Sequence, residues 1–227
     1  ASLVAFEDNG AIGSRLRQYR KELEVINNFY SNYVIAITGC QGVGKSTLAN
    51  ELLGLDGLLP DSMGNDEKYP VYITEVVDES TASKHVESYS IVNLGKNKEL
   101  IRENITNEQF RAKVCIPGQT DVLWFEIEVK TPQQGAVLGL RKLVVLPGYT
   151  SNKKDEISRQ TINSSLKYSS ACIICFDAPT FASKSNMDFV SDIVFPYFGD
   201  ATPIFALTKG KPDQEDIGFV NNVKERL

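Results

Sequence analysis

Short apolar runs alternate with amphipathic segments along most of this chain. The runs are rich in β-branched and aromatic residues, which predicts buried strands, whereas the amphipathic segments repeat apolar residues at helical spacing. The predicted strands are residues 33–38, 70–77, 86–94, 121–130, 140–148, 171–177 and 203–208. The predicted helices are residues 14–30, a segment that begins at about Lys45, 107–114, 154–168, 187–194 and a final segment near the C-terminus.

This order of elements predicts an α/β fold. Alternating strands and helices are typical of a three-layer domain that has a mostly parallel central sheet and helices on both faces. We expect an N-terminal amphipathic helix region at residues 1–30 and one α/β domain at 31–227. The apolar stripe of the N-terminal helix packs on the domain or, alternatively, docks a partner helix. The alternation at 121–130 indicates a half-buried or edge strand, and residues 95–104 are predicted to be exposed.

Charge and composition exclude several classes of protein. The 227 residues carry 24 Lys and Arg against 29 Asp and Glu, a net charge of −5, which argues against a nucleic-acid partner. No apolar run approaches about 18 residues and no signal-peptide pattern is present, so we expect a cytoplasmic protein. Cys172 and Cys175 form a C-x-x-C pattern inside a predicted strand. Positions three apart on a strand point to opposite faces, so we expect core cysteines rather than a metal site.

One stretch of the chain matches a known phosphate-binding motif. It is called the phosphate loop here and consists of Gly39-Cys40-Gln41-Gly42-Val43-Gly44-Lys45-Ser46-Thr47. It satisfies the pattern G-x-x-x-x-G-K-[ST] between a buried strand and a helix, which predicts a nucleotide site. Its glycines let backbone N–H groups turn toward phosphates, and the N-terminus of the following helix adds a positive dipole end. Lys45 supplies charge to the β and γ phosphates, and the Ser46 hydroxyl suits Mg²⁺. The predicted nucleotide-binding residues in this loop are Gly39, Gln41, Gly42, Val43, Gly44, Lys45, Ser46 and Thr47.

Two other predicted strands end in residues that could contact a nucleotide. In an α/β sheet the ligand lies at the carboxyl ends of the strands. One strand ends in Pro147-Gly148, where the N–H of Gly148 could meet a γ phosphate. Another ends at Thr208 and is followed by Lys209, whose aliphatic stem could cover a purine face. The polar loop at 55–69 directly follows the phosphate-loop helix and is the candidate switch segment.

These motifs, in this order, resemble the GTPase (G) domain of the dynamin superfamily from about residue 14 to the end of the chain. The residues that carry the resemblance are the phosphate loop with Gln41 as its third residue, Leu52-Leu53-Gly54, Leu59-Pro60, Leu146-Pro147-Gly148 and Thr208-Lys209. The resemblance implies a P-loop NTPase fold of the G-domain type that binds GTP and GDP with Mg²⁺. It implies that Gln41 places the attacking water, that Lys45 neutralises transition-state charge, and that Ser46 binds the metal.

The resemblance also implies partners and a setting. It implies slow hydrolysis that is coupled to pairing of two G domains, and a full-length protein that acts in membrane remodelling. Any membrane contact would be indirect, through segments outside this sequence, and the protein would be cytoplasmic or peripheral at a membrane. A G domain of this type needs another strand after the last predicted helix, so we expect the domain to be truncated at its C-terminus.

Departures from the family pattern affect the metal site, the switch and the reading of the base. Val145 stands where the family has the Asp of Asp-Leu-Pro-Gly, so the usual acceptor for the waters on Mg²⁺ is missing. Glu67 aligns with the switch threonine and would lie near phosphates of the same sign unless a metal intervenes. Lys211 replaces the Asp of Thr-Lys-x-Asp and has only donors, which cannot read guanine. Asp213 is the candidate substitute.

These departures leave two alternatives to a working GTPase. One is a weak or inactive pseudo-GTPase that serves as an interaction module, which the substitutions at Val145, Glu67 and Lys211 favour. The other is a P-loop ATPase in which Asp177, at the end of an apolar run, supports the metal ion.

Overall fold

A single eight-stranded sheet organises the chain. The computed structural model describes residues 33–60, 67–95, 99–119, 121–139, 141–150, 156–196 and 203–209, and four separate positions, 15, 19, 20 and 23. The strands are β1 (Tyr33–Gly39), β2 (Val71–Val77), β3 (His85–Leu94), β4 (Leu100–Ile105), β5 (Val122–Thr131), β6 (Arg141–Val145), β7 (Ala171–Asp177) and β8 (Ile204–Thr208). The helices are α1 (Lys45–Leu53), α2 (Asn107–Val114), α3 (Glu156–Tyr168) and α4 (Lys184–Phe189), which continues into a π-helical turn at Val190–Val194.

The sheet is mixed, and the prediction that it is mostly parallel is wrong. The strand order is β4-β3-β5-β2-β6-β1-β7-β8. Neighbours from β6 to β8 are parallel, as are β2 and β5, whereas β2–β6, β3–β5 and β3–β4 are antiparallel. The β3–β4 connection is a short hairpin, closed by the N–H of Gly95 donating to the carbonyl of Glu99 at 2.8 Å. A parallel pair needs a crossover of a dozen or more residues, which this connection cannot supply.

Two strands on the antiparallel side differ from their predictions, one of them only in part. β4 occupies part of the segment that was predicted only to be exposed. Ile105 is the one buried residue of this strand, so its sequence shows neither a continuous apolar run nor a regular alternation. For β5 the half-buried alternative is confirmed, because its residues alternate between buried and partly exposed from Phe125 to Thr131, and the edge alternative is wrong, because the strand lies between β2 and β3. Its polar positions face neighbouring polar groups: Glu126 accepts hydrogen bonds from Trp124 and Arg102, both at 2.9 Å. Alternation here reflects one polar sheet face, not an edge.

The centre of the sheet is covered on both faces. Ala36 and Ile37 are adjacent on β1 and therefore point to opposite faces, and both are fully buried. Val144 and Val145 of β6 show the same pattern. Helices α1 and α3 both contact β1. This burial explains the continuous apolar runs that predict β1 and β6. The parallel pairing of β6, β1, β7 and β8 places the carboxyl ends of these four strands at one edge of the sheet.

The terminal predictions lie mostly outside the described residues. Of the N-terminal helix at 14–30, only the four separate positions are described, and each is helical. Tyr19 and Leu23, two of its apolar positions, are exposed. The final helical segment lies outside the described residues. The division into a region at 1–30 and a domain at 31–227 therefore stays a prediction.

Helix α1 is tied to the chain that follows it by one buried amide. The side chain of Asn50 donates to the carbonyl of Leu59 at 3.1 Å and accepts from its N–H at 2.9 Å. Gly54 ends the helix in the left-handed conformation, with a φ of 63°. The turn and the amide together hold residues 55–60 against the helix that carries the phosphate-loop lysine.

We expect Asn50→Ala to destabilise the domain by about 2 kcal/mol, because it leaves both buried backbone groups of Leu59 without a partner. Urea unfolding followed by circular dichroism would measure the change. Glu51→Ala is the matched control, since Glu51 is the exposed neighbour on the same helix. Equal stability of the two variants would contradict the role of this amide.

Candidate nucleotide-binding site

The phosphate loop leaves the carboxyl end of β1 along a left-handed backbone path. Gly42 and Gly44 have φ of 75° and 88°, a region that residues with a Cβ rarely adopt. Gly44 is the N-cap of α1 and offers no side-chain hydrogen bond to the helix. The N–H groups of the first helical turn therefore point toward the loop without a cap from Gly44. Such an arrangement of backbone donors binds phosphate groups.

Lys45 lies beneath the loop. The residue is 3% exposed, and its ammonium donates to the carbonyl of Cys40 at 3.2 Å. Among the described residues no carboxylate forms an ion pair with Lys45. Its charge is thus held close to the backbone donors of the loop and is available to an anionic ligand.

Two glycines are required by close contacts. A Cβ at Gly39 would lie 2.5 Å from the carbonyl oxygen of Cys175 on β7, so only glycine fits where the loop begins. A Cβ at Gly148 would lie 2.8 Å from the Cα of Gln41. Gly148 therefore packs directly on the phosphate loop, next to the predicted phosphate site. A hydrogen bond from its N–H to a γ phosphate stays a prediction.

Residues 146–149 continue the pairing of β6 with β1 into the loop. The N–H of Leu146 donates to Ile37 at 3.0 Å, and that of Tyr149 donates to Gly39 at 3.0 Å. The N–H of Gln41 in turn donates to Tyr149 at 3.1 Å. The Gln41 side chain is exposed at the mouth of the loop. Residues 146–149 and the phosphate loop are therefore joined by backbone hydrogen bonds into one unit.

Tyr149 anchors this unit and was not predicted from the sequence. Its ring is buried, with the Phe189 ring at 5.2 Å and the Arg159 guanidinium 5.0 Å from its centroid. Arg159 also donates to the Tyr149 hydroxyl at 2.8 Å. Burial, more than any other cause, raises the pKa of Tyr149. The only sequence signal for this residue is its position directly after Pro147-Gly148.

The end of β8 also reaches the loop. The Thr208 hydroxyl contacts the carbonyl of Val43, and the Lys209 ammonium donates to the carbonyl of Gly42 at 2.7 Å. The same ammonium pairs with the Asp177 carboxylate at 3.1 Å. Lys209 has a φ of 55°, an uncommon conformation for a residue with a side chain. Its head group therefore ties β7 and β8 to the loop, while covering of a purine by its stem stays a prediction.

Ser46 has an acidic partner. Its hydroxyl donates to Oε1 of Glu67 at 2.6 Å, and Glu67 is 1% exposed. Hydroxyl and carboxylate oxygens are the hard ligands that Mg²⁺ prefers, so the pair fits such an ion chemically. Val145, at the position of the family's Asp, is fully buried at the end of β6.

The predicted binding residues that the structure describes lie at one edge of the sheet. The residues found there are Gly39, Gln41, Gly42, Val43, Gly44, Lys45, Ser46, Thr47, Gly148, Thr208 and Lys209. Asp213, the candidate guanine reader, and Lys211 lie outside the described residues, as does the part of the switch candidate at 61–66. Their placement stays a prediction.

The C-x-x-C cysteines lie on β7 as expected. Both are buried, and burial is the main cause that raises the pKa of Cys175 to about 11 and that of Cys172 further. Within the described ranges, no group of three or more His, Cys, Asp or Glu could hold a metal ion. None of the helices in that part of the chain has the length and apolar character needed to cross a bilayer.

Comparison with known proteins gives matches among solved structures. No family model and no curated protein matches the chain. A solved structure of an oligomerised bacterial dynamin pair, described as sensing and tethering membranes, is 18% identical with a TM-score of 0.55 and covers 98% of this chain. Era from Aquifex aeolicus, bound to GDP and AlF4−, is 16% identical with a TM-score of 0.40 over 85% of this chain.

These matches concern the fold. The chain spans 44% of the bacterial dynamin's length and 46% of Era's. At this identity the likeness to the bacterial dynamin shows that the chain has the fold of a P-loop G domain. Era has also been solved with Mg²⁺, GDPNP and a segment of 16S ribosomal RNA.

We expect Gly148→Ala to destabilise the domain by about 1–3 kcal/mol, because the new methyl group overlaps the backbone of Gln41. Urea unfolding would measure this loss. Gly135→Ala is the control, since the nearest atom to its added methyl group would be the Thr131 side chain at 3.3 Å. A Gly148 variant as stable as the Gly135 variant would contradict the packing of residue 148 on the loop.

We expect Cys172 and Cys175 to resist N-ethylmaleimide in the native chain at pH 8. Because burial raises the pKa of both thiols, the reactive thiolate is scarce at that pH. Mass spectrometry of peptides from native and urea-unfolded protein would measure labelling. Native labelling as fast as labelling of the unfolded chain would contradict the buried assignment.

Proposed function

We propose that this chain is a dynamin-like G domain that binds GTP and GDP with Mg²⁺ at the phosphate loop. The observation that carries the proposal is the loop itself: left-handed glycines at 42 and 44, an α1 N-terminus without a side-chain cap from Gly44, and the buried ammonium of Lys45 below them. Backbone donors and a lysine that converge on one small volume suit a polyphosphate. The Ser46 hydroxyl would hold the metal ion, which neutralises phosphate charge.

Guanine selectivity is the part of the proposal that depends most on resemblance. Thr208 and Lys209 lie beside the loop where the family has Thr-Lys-x-Asp. We propose that the Lys209 stem covers the base and that Asp213 accepts from its N–H groups. The ATPase alternative relies on Asp177, but its carboxylate already pairs with Lys209 at 3.1 Å. That contact favours a structural role for Asp177.

Slow hydrolysis that depends on pairing of two domains is a further part of the proposal. Gln41 is exposed at the mouth of the loop, where a second domain could restrain its amide beside an attacking water. Val145 has no polar group to orient the waters on Mg²⁺, which favours a low rate in the single domain. By analogy with the bacterial dynamin pair, we propose that the full-length protein acts at membranes through other segments.

A pseudo-GTPase that serves as an interaction module is the second candidate function. The observation that favours it is the Ser46–Glu67 hydrogen bond, which engages the expected metal ligand with an acidic side chain. In this reading the domain pairs with another G domain or recruits partners without turnover. The lack of a nucleic-acid partner stays a prediction from the net charge of −5.

We expect Lys45→Ala to weaken binding of GTP and GDP by about a hundredfold or more, because a charge-assisted contact to phosphate is lost. Isothermal titration calorimetry of the chain with GTP, GDP and ATP in Mg²⁺ would measure it. Lys142→Ala is the control, since Lys142 lies near the opposite end of β6. Retained micromolar affinity in the Lys45 variant would contradict the site assignment, and a preference for ATP would favour the ATPase alternative.

We expect phosphate release per molecule to rise with protein concentration if two domains pair to hydrolyse GTP. Release would be followed at low and high protein concentration under saturating GTP. Gln41→Ala should reduce release at high concentration while GTP affinity stays within about threefold, because the substitution removes an exposed side-chain amide and keeps the backbone of the loop. Tight binding without release at any concentration would favour the pseudo-GTPase.

A further inference from the structure

Glu67 is a buried acid placed where phosphates are expected. The residue is 1% exposed, and its carboxylate accepts the hydrogen bond of Ser46 at 2.6 Å. Ser46 belongs to the first turn of α1, directly after Lys45. A polyphosphate in this loop would therefore bring negative charge close to a carboxylate that water screens little. Binding requires that the carboxylate move away or that a cation lie between the two anions.

The backbone that follows Glu67 is bound to two neighbouring elements, which opposes movement of this residue. The N–H of Lys68 donates to the carbonyl of Val114 at the end of α2, at 2.9 Å. The carbonyl of Pro70 accepts from the N–H of Phe125 on β5, also at 2.9 Å. These bonds hold the residues that follow Glu67 against two neighbouring elements. The carboxylate is thus preorganised beside Ser46.

The geometry of the two oxygen atoms suits a divalent cation. Mg²⁺ binds oxygen at about 2.0–2.1 Å in an octahedron, so adjacent ligands lie about 2.9 Å apart. The observed separation of Ser46 Oγ and Glu67 Oε1 is 2.6 Å. A shift of a few tenths of an ångström would let both oxygens bind one ion. Mg²⁺ sites in proteins combine one or two carboxylates with substrate phosphates, which is the set available here.

We propose that Ser46 and Glu67 together ligate the divalent cation, so that Glu67 supplies a carboxylate that this chain lacks at Val145. The inference rests on the proposed nucleotide site and deepens it. It makes metal and nucleotide strongly cooperative ligands, because Glu67 repels phosphates without the ion and binds the ion when it is present. Removal of the negative charge at residue 67 should therefore change nucleotide affinity in opposite directions with and without metal.

Calorimetric titration of the 227-residue chain with GDP, in EDTA and in Mg²⁺, tests this cooperativity. In EDTA, Glu67→Gln should bind GDP about tenfold more tightly than the wild type, since the repulsion is removed. In Mg²⁺ it should bind more weakly, so the gain in affinity on adding metal should shrink by at least about tenfold. Glu51→Gln, an equal charge change at an exposed position of α1, should leave both affinities unchanged.

Electron paramagnetic resonance of Mn²⁺ gives a readout that needs no turnover. We expect Mn²⁺ to bind the nucleotide-free wild type weakly and its GDP complex tightly, and both affinities to fall in Glu67→Gln. Glu67→Asp keeps the charge but withdraws the carboxylate by one methylene group. It should weaken Mn²⁺ binding without tightening GDP binding in EDTA, which separates ligation from simple repulsion. Circular dichroism melting curves would establish that each variant folds.

The outcomes separate this inference from the proposed function. If GDP binds the wild type and Glu67→Gln leaves Mn²⁺ affinity unchanged, the shared metal site is wrong and the nucleotide site stands. If no nucleotide binds but Mn²⁺ binds and depends on Glu67, the nucleotide proposal is wrong and the ion site stands. If the wild type binds neither nucleotide nor Mn²⁺, both the nucleotide site and the shared ion site are wrong.

Discussion

The constraint on which this site depends is the backbone path of the phosphate loop between the ends of its neighbouring strands. The loop can begin at Gly39 only because no Cβ meets the carbonyl of Cys175 on β7. Beyond that point its backbone groups are bound in turn by the main chain of Tyr149 and by the side chains of Thr208 and Lys209. Three strand ends are thus joined to one loop. Displacement of any of them would move the donors that face the phosphate site.

The sequence predicts this centre well and the flanks poorly, for one physical reason. Strands that are buried on both faces need continuous apolar runs, and such runs in the sequence predict β1, β6 and β7. β4 has one buried residue, Ile105, and no local signal separates it from an exposed loop. Strand direction has no local signal either, because the apolar pattern of β2 or β5 reads the same in parallel and antiparallel pairs. The mixed sheet could therefore not be predicted from periodicity.

The site shows the same division between local and distant information. The phosphate-loop motif fixes its own backbone, so the left-handed glycines and the start of α1 follow from the sequence. Contacts across long separations do not follow. The ammonium of Lys209 contacts the carbonyl of Gly42, a contact that no local pattern predicts, while covering of a base by its aliphatic stem stays a prediction. Tyr149 has no motif, and its role depends on Arg159 and Phe189, which come from later elements.

The direction of β2, which periodicity could not give, is also what brings Glu67 to the site. β2 is antiparallel to β6, with Val71 opposite Val145. The start of β2 therefore lies beside the end of β6, at the edge where the phosphate loop lies. Residues just before β2 can thus place an acidic side chain near the end of β6, where Val145 has none. Val145 cannot orient water on a metal ion. If Glu67 binds the ion itself, the site has a carboxylate that comes from the segment before β2 and not from the end of β6. The position of the acid in the sequence would then differ from the family pattern, while its position in space would stay at the same sheet edge.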